Sequence, residues 1–258
     1  MLLDFIADEI LFEETRKLLL IYKNAKNEKD IHKNVIDPFS AIFQAMSDNQ
    51  SYEQWLKIEK ERQSQKTLQN GIGYFHQNIL GNIPGWEVLP KGKDVLNQER
   101  KIIAEIKNKY NTTKYDYHPT LYDKLEKGIN GKYKGYTAYY VEIIPENPGG
   151  YERPFVPSDA DKEKKDPQKK RPKNPNILRI DGYTFYSIAT GNQNALKDLF
   201  VAIPKVISEI LIEDTNLSIG NEDSATFYNI FDICYFSGNP NKNTKPKKNA
   251  KLKKRPMQ

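Results

Sequence analysis

Residues 86–89, 94–96 and 101–107 are three short strand-like runs, joined only by Pro90-Lys91-Gly92 and by residues 97–100. Connections this short leave no room for a crossover helix, so the runs must form an antiparallel meander. In the third run Ile102, Ala104 and Ile106 alternate with residues that include Glu105 and Lys107, and Lys109 follows at the same spacing. Side chains of a strand point alternately to its two faces. The apolar set must therefore meet a core, and Glu105, Lys107 and Lys109 share the opposite face. Taken alone, Glu-x-Lys reads as an ion pair on a half-exposed strand. Asp94 alters that reading. It lies in the preceding strand, and a tight turn brings it back beside Glu105. Two carboxylates converging next to a lysine repel each other, whereas a hard divalent cation takes carboxylate, carbonyl and water oxygens. The backbone carbonyl of Ile106 is placed to join them.

The surroundings extend the pattern. Apolar residues from Leu2 to Leu11 and from Leu18 to Tyr22 suggest one or two N-terminal helices. Asp37-Pro38 has the form of an N-cap followed by proline at the first helical position. Ser51 and Gln54 match a capping box that opens a helix reaching about Leu80, with Gly71 and Gly73 marking a break or a close packing point. His118-Pro119 opens a second helix to about Lys127, closed by Gly128 and Gly131. Residues 136–144 (YTAYYVEII) are rich in aromatic and β-branched side chains and read as a strand. Short strands are expected at 177–179 and 183–187, turning at Asp181-Gly182. A helix over 195–211, with Pro204 inside it, closes the folded part. The order helix–strand–strand–strand–helix–strand implies an α/β (α+β) fold, a mixed central sheet flanked by helices.

The net charge of +6 is unevenly placed. Residues 239–258 hold eight Lys/Arg and no acid, which leaves residues 1–238 at −2. That tail cannot bury a core and is expected to be disordered. It serves either as a solubilising tail or as an attraction to a polyanion. The expected organisation is an N-terminal helical region over 1–50, a candidate for dimerisation, a core over 51–238 and the basic tail over 239–258. The charged, proline-broken stretch 157–176 reads as a long loop, functional or disordered. One cysteine, Cys234, excludes an internal disulfide and a thiolate metal cluster. Three histidines and one cysteine support neither an HNH-type nuclease nor a zinc finger. His76 is read as a satisfied core histidine. No leader and no membrane-length apolar run are recognised, so a cytoplasmic protein without membrane contact is expected. A Walker A motif is absent from the sequence.

Asp94 with Glu105-Ile106-Lys107, in that element order, resembles the core of PD-(D/E)xK nucleases. Lys93 stands where the motif's proline would be. The segments IIAEIKNKYNT, NGIGYFHQNIL, YVEIIPENPGGYERPFVPSD and RIDGYTFYSIATG further resemble type II restriction endonucleases that cut GGNCC. The resemblance runs from about Asp37 to Leu211 and implies Mg²⁺-dependent hydrolysis of double-stranded DNA. In it Asp94, Glu105 and the Ile106 carbonyl hold the metal, and Lys107 stabilises the transition state. Asn108 and Lys109 then meet DNA phosphates, Arg153 and Arg179 offer donors to guanine, and Asp181 and Glu152 offer acceptors to cytosine. The alternative for Arg153 is an ordinary surface arginine. Gln65, Lys66 and Asn70 on the preceding helix are accessory candidates, as are Glu59 and Glu61, against the alternative of a solvated helix face. A palindromic target implies a homodimer, and a protecting DNA methyltransferase in the same system. Two alternatives stay open: a DNA-binding protein without catalysis, and a nuclease with the same core acting in repair or on RNA.

Overall fold

A computed structural model of the chain describes residues 1–89, 94–158, 173–215 and 222–236. The expected behaviour of the basic tail and of most of the 157–176 stretch lies outside these residues. Helix α1 (Asp8–Asn27) is followed by α2 (Pro38–Ser47) and the long α3 (Tyr52–Gly81). The Asp37 carboxylate accepts from the N–H groups of Phe39 and Ser40 ahead of α2. At α3 the Ser51 hydroxyl accepts from Gln54 N–H while the Gln54 side chain accepts from Ser51 N–H, a complete capping box. Gly71 is a packing point within α3 and not a break: a Cβ there would stand 2.7 Å from Leu18 Cδ1 of α1. Residues 2–6, expected to be helical, instead precede α1 outside any helix and bury Leu3, Phe5 and Ile6.

Among the described residues six strands form one mixed sheet in the order β1-β2-β3-β4-β6-β5. Strands β1 (Trp86–Val88), β2 (Val95–Asn97) and β3 (Ile102–Lys109) make the antiparallel meander. Helix α4 (His118–Asn130) then carries the chain across to β4 (Thr137–Ile144), parallel to β3. Strand β6 (Ile177–Asp181) is parallel to β4, and β5 (Glu152–Pro154) lies antiparallel on the outer edge. Ile102, Ala104 and Ile106 face a large core shared with Leu11, Phe75, Ile79 and Val141, while Ile103 faces a second core with Leu121, Leu125 and Ala138. The sheet is thus covered on both sides, and the Glu105 face of β3 is roofed by α4.

Residues 183–187 are not a strand. They belong to α5 (Gly182–Thr190), for which Asp181 is the N-cap, accepting from Thr184 N–H at 3.0 Å. The Asp-Gly pair that resembles a turn starts a helix, because Gly182 lies directly on β4: an added Cβ would meet the Ile143 carbonyl oxygen at 2.5 Å. Helix α6 (Ala195–Thr215) contains Pro204 and is not the last element. Helix α7 (Glu222–Tyr235) follows and takes in the run around Cys234, its Tyr235 hydroxyl donating to the Ile143 carbonyl at 2.9 Å. Helix α4 continues through Gly128 to Asn130.

Candidate active site

The meander's register determines what meets what. Val95 pairs with Ala104, and Asp94 N–H donates to the Ala104 carbonyl at 2.9 Å, which brings Asp94 opposite Glu105. The Asp94 carboxylate then accepts from the Ile106 N–H at 2.6 Å. A residue's N–H and C=O point to the same side of its strand, so the Ile106 carbonyl also faces the edge where Asp94 lies. Glu105 is buried, with one carboxylate oxygen 2.9 Å from Lys107 Nζ and the other 2.7 Å from Lys124 Nζ. Burial, and then the negative charge of Glu105, push the Asp94 carboxyl above its ordinary range. For Lys107, burial pulls the ammonium down, but attraction to Glu105 and Asp94 outweighs it and the net shift is upward. Lys107 is therefore a fixed cation and not a reservoir for a proton.

Asp94, Ile106 and Lys107 border a cleft of about 980 Å³ between α3 and the open end of β3, lined also by Lys66, Asn70, Asn108 and Lys109, whereas Glu105 and Lys124 are not among its lining residues. Gln65 is exposed on the same helix and is not among the lining residues. Asn108 is held at its amide by the Gln69 carbonyl at 3.2 Å, and its buried side-chain oxygen is without a hydrogen-bond partner among the described residues. Glu59 is taken up by Arg62 at 2.5 and 2.6 Å, away from the cleft lining. His76 Nδ1 is 2.8 Å from the Tyr186 hydroxyl, and burial lowers its pKa to about 4.

Among the described residues no group of three or more His, Cys, Asp or Glu side chains converges to hold a metal ion. The donors present are two carboxylates and a carbonyl. That set fits Mg²⁺, which keeps several waters and takes only one or two carboxylates. Burial and then the neighbouring Glu105 both disfavour the ionised Asp94 carboxylate, and a cation held there would favour it.

The structure does not bring Arg179 and Asp181 to this cleft as free groups. Arg179 is bidentate on Glu142, at 2.7 and 2.9 Å, and Glu142 is 0% exposed. The Tyr151 hydroxyl donates to the same carboxylate in a short hydrogen bond. Asp181 is 1% exposed, and its oxygens accept from Thr184 N–H, the Thr184 hydroxyl and Tyr151 N–H. Both belong to the frame that holds residues 151–154 against the sheet. Arg153 is exposed on β5 and stacks 5.0 Å from the Tyr151 ring. Glu152 is exposed as well and accepts from the Tyr139 hydroxyl at 2.7 Å.

Two residues escaped the sequence reading. Lys124 sits between Leu121 and Leu125, both buried on the α4 stripe, and a lysine on the flank of such a stripe is the signal that was available. Glu142 is the single acid inside YTAYYVEII, and an acid in an apolar strand demands a partner.

Comparison with known proteins gives three concordant findings. A family model described as Eco47II restriction endonuclease matches residues 3–212. The type II restriction enzyme Eco47II of Escherichia coli is 43% identical over 244 residues, covering 91% of this chain and 99% of that protein. The type II restriction enzyme Sau96I of Staphylococcus aureus is 34% identical over 212 residues, covering 80% of each chain.

Proposed function

Because the chain belongs to the Eco47II restriction endonuclease family, we propose that it is a PD-(D/E)xK nuclease that cleaves double-stranded DNA at GGNCC with Mg²⁺ as cofactor. The observation that carries this reading is the convergence of Asp94, Glu105 and Lys107 where β2 begins and β3 runs on beside the cleft. Asp94, Glu105 and the Ile106 carbonyl would hold the ion. When bound, the metal polarises the scissile phosphate and lowers the pKa of a water ligand. Lys107, kept charged by its two carboxylates, orients that water and stabilises the charge that grows on the phosphoryl oxygens. Lys124, which shares Glu105 with Lys107, fixes the carboxylate from the α4 side. Lys66, Asn108 and Lys109 line the route along which the DNA backbone would pass, and Arg153 is the exposed donor on the edge strand suited to a guanine.

A palindromic target calls for a homodimer with one centre per strand. A cytoplasmic enzyme of this kind needs a cognate methyltransferase to protect host DNA. The test is digestion of unmethylated phage DNA with and without Mg²⁺, with sequencing of the fragment ends. Glu105→Ala and Lys107→Ala should abolish cleavage and spare binding. Undiminished cutting by both variants would remove the active-site assignment. Cutting without regard to sequence, or of RNA, would point to a repair or RNA nuclease, and binding without metal-dependent cutting to a non-catalytic protein.

A further inference from the structure

Helix α2 is turned inside out. Its small residues Ala41 and Ala45 are the half-covered ones, and no residue of the helix is buried. Its large apolar residues Phe39, Ile42, Phe43 and Met46 are 73%, 56%, 72% and 74% exposed. They recur at i, i+3, i+4 and i+7, which places them in one stripe. No charged residue lies within Pro38–Ser47. A monomer gains nothing from such a face, because burying it is worth far more than wetting it.

We infer that the α2 stripe is the contact between two copies of this chain, packed against each other about a two-fold axis. The inference rests on the proposed palindromic target, which demands that axis, and it adds where the axis runs. A two-fold contact uses the same patch on both subunits, and an uncharged stripe can face itself without repulsion. Aromatic side chains bury ~150–250 Å² each. At that scale the four residues leave roughly 500 Å² per chain, or about 1,000 Å² for two copies, the area at which a specific interface begins. A lipid surface fits less well: helices that lie on membranes carry Lys or Arg on their polar side, and α2 offers only Ser40, Gln44 and Ser47. Helix α7 also exposes Phe227, Ile230 and Ile233, but chain outside the described residues flanks it on both sides, and it is assigned no occupant.

The test is sedimentation velocity on the full chain at micromolar concentration, with circular dichroism to verify folding. Wild type and Gln44→Glu should be dimers. Phe43→Glu and Phe43→Lys should each be monomeric, with association weakened about a hundredfold or more, as expected for a central aromatic contact. An equimolar mixture of the two variants should dimerise again, which only contact between two α2 faces explains. A dimer that persists in Phe43→Glu overturns this interface and leaves the dimeric reading of the enzyme intact. A monomeric wild type overturns both. Wild type that floats with phosphatidylglycerol vesicles while Phe43→Glu does not would give the face to lipid and overturn the inference.

Discussion

Arg179→Met separates two roles for one arginine. As a base reader, Arg179 could be lost with little effect on stability and a large effect on specificity. The structure ties it instead to Glu142 through two hydrogen bonds, at 2.7 and 2.9 Å, with Glu142 wholly buried. Removing one partner of a buried pair leaves an uncompensated charge and costs ~3–5 kcal/mol. Against a total stability of roughly 5–15 kcal/mol, and with about 2–4 °C of melting temperature per kcal/mol at this size, the variant should melt some 6–20 °C below wild type. The measurement is thermal and urea unfolding followed by circular dichroism. The double variant Glu142→Leu/Arg179→Met should recover part of the loss, because it removes the stranded charge as well, and the two substitutions should be strongly non-additive. A single variant that melts like wild type, yet cuts relaxed sites, would refute the reasoning and return Arg179 to the DNA.

Three further outcomes follow from the same geometry. Asp94→Asn should raise the melting temperature while abolishing cleavage: a carboxyl whose folded pKa is raised costs stability once ionised, and the amide oxygen can still accept from Ile106 N–H. Stability should fall as pH drops from 6.5 towards about 4, by up to ~3 kcal/mol from His76, since the unfolded histidine takes a proton that the folded one refuses; His76→Gln should flatten that part of the profile in a pH series of urea midpoints. Gly182→Ala should cost about 1–3 kcal/mol in chemical unfolding, because its Cβ would press on the backbone of Ile143.

Local grammar was readable in the sequence, and long-range partnership was not. The caps at Asp37 and Ser51, the meander and the facing of Glu105 with Lys107 follow from spacings of a few residues, and the structure has them. Tyr183 to Ser187 misled because aromatic and β-branched residues favour strands, whereas here the Asp181 cap and the docking of Gly182 on β4 decide for a helix. Arg179 and Asp181 looked like free recognition groups because Glu142 is 37 residues away from Arg179 and Tyr151 is 30 from Asp181. Lys124 reaches Glu105 only through the packing of α4 over the sheet. Helix α7 went unseen because its apolar end looks like a short buried run until Phe231 and Tyr235 meet the core.

The pairing of β2 with β3 stops at Val95 opposite Ala104, while β3 continues to Lys109. A bare strand margin is an invitation for a neighbouring chain to add its own strand and begin a fibril. Among the described residues the first amide left open by β2 is already claimed by the Asp94 side chain, and Lys107 and Lys109 set charge along the rest. Asp94 and Lys107, proposed to act on DNA, thus also stand where a foreign strand would have to pair. A variant disarmed with apolar replacements at these positions would lose both protections together, so a well-behaved inactive enzyme for binding work is better made with Glu105→Gln than with a run of alanines.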